Sequence, residues 1–88
     1  MATTISEIEQ NISAFIVQNS HADTTLMNAE TLLFKEGIFD SMGFVQLVDF
    51  LESTFGISID DTEFVEENFE SLRAISHYVQ KKMTMKMA

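Results

Sequence analysis

No proline interrupts any of the 88 residues, and only three glycines, Gly37, Gly43 and Gly56, punctuate them. Proline is the strongest breaker of a helix and glycine the next, so a chain nearly free of both favours long, unkinked helices with few tight turns. Apolar residues at three- and four-residue spacing supply the matching pattern. Ile5, Ile8, Ile12, Phe15 and Ile16 form one stripe, with Glu7, Glu9, Gln10 and Asn11 opposite it. Thr4-Ile5-Ser6-Glu7 has the spacing of a capping box, and the polar run Asn19-Ser20-His21 marks where this first helix frays.

A second helix is bounded at both ends. Asp40 or Ser41 can cap its start by accepting hydrogen bonds from first-turn amides. Gly56 can close it in the left-handed conformation, with Ile57 placed for the accompanying apolar contact. Within it, Met42, Val45, Val48 (with Leu47), Leu51 and Phe55 are expected to form the buried stripe. Residues 20–39 lack a helical pattern. His21-Ala22-Asp23-Thr24-Thr25 is polar and Leu32-Leu33-Phe34 is too short for a full helix, so an ordered long loop packed across the helices is expected. Asp60-Asp61-Thr62-Glu63 is expected to cap a short helix reaching about Glu67, anchored by Phe64 and Phe69. A last helix is expected from Ser71, with Leu72, Ile75 and Val79 inward and Lys81 and Lys82 favourably placed at its C-terminal end. The fold class that follows is all-α: a small four-helix bundle of three main helices and one short one, with a long loop between helices 1 and 2. It is expected as a single domain over residues 1–82, with 83–88 a disordered tail.

The length suits one small domain, and a hydrophobic content of 45% lets it fold. Absence of cysteine removes disulfides, thiolate zinc sites and a cysteine nucleophile. Fourteen acidic residues against five basic give a formal charge of -9, which repels phosphate backbones and anionic lipid. Neither nucleic acid nor a membrane is therefore an expected partner, and a protein partner should present basic side chains. Met1-Ala2-Thr3-Thr4 lacks a secretory start and no apolar run approaches a membrane span, so the expectation is a cytoplasmic monomer.

Little in the sequence can catalyse. There is no glycine-rich phosphate loop, no paired zinc ligands and no calcium loop, so no metal is expected. His21 and His77 lie far apart without ligand spacing and read as surface histidines. Four short helices around a modest core leave little room for a pocket. The acids between Asp60 and Glu70 read as a solvated face, and the methionines of the tail as a frayed end. One feature asks for more. In Gly37-Ile38-Phe39-Asp40-Ser41-Met42 an Asp-Ser pair sits where the long loop becomes the best helix, and free amides with the positive end of a helix dipole favour an anion there. On helix logic alone the pair reads first as a simple cap, since a cap signature is weak evidence for anything else.

The stretch from Gly37 through Asp40-Ser41-Met42-Gly43-Phe44-Val45-Gln46-Leu47 resembles the phosphopantetheine attachment site of acyl and peptidyl carrier proteins. The resemblance extends through Phe55-Gly56-Ile57-Ser58-Ile59 and through Phe69-Glu70-Ser71-Leu72 with Ile75 and Val79, covering roughly Leu32 to Val79. It implies a non-catalytic carrier. A phosphopantetheinyl transferase would move 4'-phosphopantetheine from coenzyme A onto Ser41, and the thiol of that arm would hold acyl or aminoacyl groups as thioesters. It further implies that Asp40, Met42, Phe44, Val45, Asp49 and Glu52 are read by partners, among them loading and transfer enzymes with basic patches.

Departures refine the expectation. Met42 stands where leucine is commonest in the family; Gly43 and Gln46 stand where fatty-acid carriers tend to have acids; and Phe44 places a large aromatic where small or polar residues are usual. Two residues between Gly37 and Asp40 look more like aminoacyl carriers. A specialised carrier, for secondary metabolism or aminoacyl transfer, is therefore expected ahead of a housekeeping fatty-acid carrier or an unmodified acidic adaptor. Phe44 is expected to pack against Phe39 or the long loop, or else to serve as an exposed anchor.

Overall fold

The computed structural model describes residues 4–20, 25 and 27–87 of the chain. His21 lies outside them. Four α-helices follow in order: α1 (Ile5–Asn19), α2 (Ser41–Phe55), α3 (Glu66–Phe69) and α4 (Leu72–Met87), with a 3-10 turn at Asp61–Glu63. No strand occurs among the described residues. None of the helices is long and apolar enough to cross a membrane among these residues.

The ends of α1 follow from local chemistry. Thr4 Oγ1 accepts from the Glu7 amide at 3.2 Å, satisfying one of the unpaired donors of the first turn. Ile8, Ile12 and Ile16 are fully buried, with Phe15 half-buried beside them. This stripe packs chiefly on α4, where Leu72, Ile75, Tyr78 and Val79 form the opposing face. Phe15 also stacks on Phe50 of α2, ring centroids 4.3 Å apart.

The long loop is ordered by backbone pairing to elements far away in sequence. The Leu33 amide donates to the Glu70 carbonyl at 2.8 Å, and the Arg73 amide donates to the Ala29 carbonyl at 2.8 Å. Leu33, fully buried, turns its own carbonyl toward the loop's end, where it accepts from the amides of Ile38 and Phe39. Gly37 takes φ 76°, a conformation open to glycine at no steric cost, and lets the chain reverse just before α2.

Three expectations are corrected here. The stripe on α2 is turned from the one read in the sequence: Leu47 and Leu51 are buried, whereas Met42 and Val45 are 69% and 64% exposed. At about 100° per residue, Met42 lies on the side of the helix opposite Leu51. The segment after Ile59 is not one short helix but a 3-10 turn, an extended residue at Val65, and α3. Its Asp60 does form the expected cap, a complete capping box with Glu63. Finally, α4 runs on to Met87 instead of fraying at Met83, which packs against the core. Lys81 and Lys82 thus sit within the helix and not at its end. Lys82 Nζ meets Glu63 Oε1 at 2.8 Å, tying the 3-10 turn to α4.

Candidate functional site

The site is the head of α2. Asp40 stands in extended conformation at the N-cap and its Oδ1 accepts from the Gly43 amide at 2.8 Å, while its carbonyl accepts from the Phe44 amide. The sequence left Asp40 and Ser41 as equal candidates for this cap; the structure gives it to Asp40. Ser41 is the first helical residue, exposed, and its hydroxyl takes no hydrogen bond among the described residues. A serine oxygen free at a helix N-terminus faces the unpaired first-turn amides and the positive end of the dipole, which stabilise an attached phosphodiester.

Phe44, one turn into the helix, points away from solvent and is half-buried. Its ring makes edge contacts with Phe34 at 5.5 Å, Phe64 at 5.8 Å and Phe69 at 5.4 Å. It therefore packs against the long loop through Phe34, and the contact to Phe39 runs through that ring, Phe34 and Phe39 lying 6.2 Å apart. The rings of Phe34, Phe44, Phe64 and Phe69 line an open groove of about 490 Å³, with Leu32, Val65 and Ser41 also on its walls and Lys35, Glu66 and Glu70 among its polar lining. The sequence reading left little room for a pocket. One forms where Phe34 of the loop and Phe64 and Phe69 from beyond α2 meet Phe44, a meeting of distant segments invisible to helical periodicity.

The remaining sequence-derived site residues divide. Met42, Val45 and Asp49 are exposed on α2 and free to meet another protein. Glu52 is not: its Oε2 accepts from the Ile59 amide at 2.9 Å, holding the chain that leaves α2. Phe34 and Phe64, two walls of the groove, were missed as site residues. Their signal was the run of phenylalanines flanking the Asp-Ser motif in both directions. His77 is exposed on α4. The described residues contain no cluster of three or more acidic or histidine side chains able to hold a metal.

On the far side of the groove Glu63 is the hub of the segment that carries Phe64 and Val65. Its Oε1 accepts from Lys82 and from the Asp60 amide at 3.1 Å, and its carbonyl accepts from Asn68 Nδ2 at 2.9 Å. The Lys82 ammonium, then the Asp60 amide, hold its carboxyl below the ordinary value of 4.5. Burial, reinforced by the Glu63 charge, pushes the Tyr78 hydroxyl upward.

Fold and site together describe a small helical domain with an exposed serine at a helix N-terminus beside an open groove. The family model for the phosphopantetheine attachment site matches residues 16–79, and the chain belongs to that family. It is similar to the D-alanyl carrier proteins of Bacillus velezensis (29% identical over 74% of this chain and 83% of the relative) and Abiotrophia defectiva (25% over 86% and 96%). D-alanyl carrier protein 2 of Lactiplantibacillus plantarum is 38% identical over 64% of this chain and 70% of the relative. The protein is thus a non-catalytic carrier with covalently attached 4'-phosphopantetheine, and partner enzymes act on what it holds. An exposed, unbonded serine oxygen at a helix N-terminus beside an open groove fits the linkage such a group needs.

Proposed function

We propose that Ser41 bears the 4'-phosphopantetheine group and that the protein carries acyl or aminoacyl units for a specialised transfer pathway, of aminoacyl or secondary-metabolite type. The observation that carries this reading is the division of labour at the head of α2: Asp40 makes the cap, so Ser41 is not needed for it and its hydroxyl is left exposed. When bound, the group supplies a terminal thiol that holds the cargo as a thioester. The chain's own residues do the rest. Asp40 fixes the first turn and so the direction of the Ser41 oxygen, and the first-turn amides stabilise the phosphodiester charge. Exposed Met42 and Val45, with Asp40 and Asp49 as flanking acids, offer a partly apolar, acidic face to a transferase and to loading enzymes with basic surfaces. The aromatic groove gives an apolar part of the cargo a place beside the attachment point. The D-alanyl cargo named in the relatives supports the aminoacyl version, and a formal charge of -9 supports a monomer steered to basic partners; we place it in the cytoplasm.

Intact mass after incubation with coenzyme A and a broad-specificity phosphopantetheinyl transferase tests the assignment. The expected result is the gain of one phosphopantetheinyl group, lost in Ser41→Ala. Because Asp40 holds the cap, Ser41→Ala should melt within a few degrees of the parent chain. A modified Ser41→Ala, or an unmodified parent chain with both a broad-specificity and a native transferase, would sink it.

A further inference from the structure

Gly43 sits two residues past Ser41 in the first turn of α2, and its neighbourhood is closed. A Cβ added there would lie 2.6 Å from Cδ1 of Phe39, 3.4 Å from its Cε1, and 3.5 Å from Oδ1 of Asp40. The first distance is far inside van der Waals contact, so something must move. The Phe39 ring has little freedom to do so. It is only 6% exposed, its amide is tied to the Leu33 carbonyl at 3.1 Å, and the Phe34 ring lies against it. The ring thus occupies the space a side chain at 43 would fill, next to the solvent-facing hydrogen bond from the Gly43 amide to the Asp40 carboxylate. Phe39 directly precedes the cap, where an apolar residue fixes the angle at which a chain joins its helix. Here that residue packs on Gly43, and Phe34 bridges it to Phe44 one position further along.

We propose that Gly43 is a positioning residue for the modification of Ser41: the absence of a side chain at 43 lets Phe39 lock the Asp40 cap, and that lock holds the Ser41 oxygen in line for group transfer. The inference rests on Ser41 being the attachment residue. In the transfer the bond from Ser41 Oγ to phosphorus forms and the pyrophosphate P–O bond of coenzyme A breaks. Adenosine 3',5'-bisphosphate leaves, and the serine proton passes to the transferase. Gly43 touches none of the reacting atoms, so its effect falls on the geometry of the step and not on the exposed residues by which a transferase would recognise the domain.

The test is steady-state modification of Gly43→Ala, Phe39→Leu and the double variant, followed by intact mass, with amide hydrogen exchange at residue 43 in parallel. Gly43→Ala should lower kcat about tenfold or more with KM little changed, since a misplacement of about 1 Å at a reacting group can cost about a hundredfold. Exchange at residue 43 should quicken in the same variant as the cap loosens. Leucine at 39 makes room, so Gly43→Ala combined with Phe39→Leu should recover both rate and protection, a rescue that a general loss of stability would not give. Wild-type kinetics in Gly43→Ala, or a deficit that Phe39→Leu leaves unchanged, overturns the inference while Ser41 remains the attachment residue. A parent chain that gains no mass overturns the attachment itself and this inference with it. Should Gly43→Ala fail to fold, Phe39→Leu alone decides: it should quicken exchange at Gly43 and lower kcat, and parent values in both would overturn the lock.

Discussion

The two ends of α2 are built for different work. At its C-terminal end every strong feature serves folding: Leu47 and Leu51 are fully buried, Glu52 holds the Ile59 amide, and Gly56 closes the helix at φ 64° with its amide on the Glu52 carbonyl. At its N-terminal end Met42 and Val45 face solvent and Ser41 has a free hydroxyl. The Asp40 cap, the Phe39–Gly43 contact and the inward-facing Phe44 ring anchor that end. A helix firmly seated at one end can leave the other exposed without losing its place. The proposed attachment at Ser41 would need this openness, because partner enzymes must reach that serine.

The contrast is open to direct attack. Leu51→Ala should cost about 2–5 kcal/mol of stability, as removal of a fully buried leucine leaves a cavity. Met42→Ala, one helix face away, should stay within about 0.5 kcal/mol of the parent chain. Denaturant titration of the pair measures this, and equal losses would mean both ends are seated alike. A smaller effect separates the two residues of the motif. Asp40→Ala should cost about 1 kcal/mol through the lost cap, whereas Ser41→Ala should cost a few tenths at most, again by denaturant titration.

The smallest expected effect is on pH dependence, and it belongs to the folding end, where the chain leaving α2 is pinned by Glu63. A carboxyl held below its ordinary value in the fold binds a proton more readily once unfolded. Its contribution is therefore complete above about pH 4.5 and is lost as pH falls through the depressed value. Melting temperatures taken from pH 6 down to pH 3 should fall less steeply in Glu63→Gln than in the parent chain. Modification of Ser41 at neutral pH should be unaffected by that change.

Most helix ends were legible in the sequence, as were the inward faces of α1 and α4; the face of α2 and the end of α4 were not. Thr4, Asp40, Gly56 and Asp60 all take the capping or closing roles that their side chains suggested, and the stripe Ile8, Ile12, Ile16 is buried as spaced. These are local matters, decided within a few residues by which amides and carbonyls lack partners and which side chains can reach them. On α2 the reading failed because Met42, Phe44, Val45, Leu47, Val48, Phe50 and Leu51 put apolar groups on nearly every side. Periodicity then has no single phase to report. The same holds for the end of α4, where Met83 gains its partners from the core and no capping residue announces the extension.

The sequence by itself determined the class of fold, the limits of the first two helices and the Asp-Ser motif that marks the site, because each depends on neighbours along the chain. Which of Asp40 and Ser41 makes the cap is a local choice that the sequence left open and the structure gives to Asp40. Tertiary structure alone turned Phe44 into the wall of a groove, set Glu52 and Glu63 to holding loops, and pressed Phe39 against Gly43. Those outcomes depend on which surfaces meet when distant segments pack.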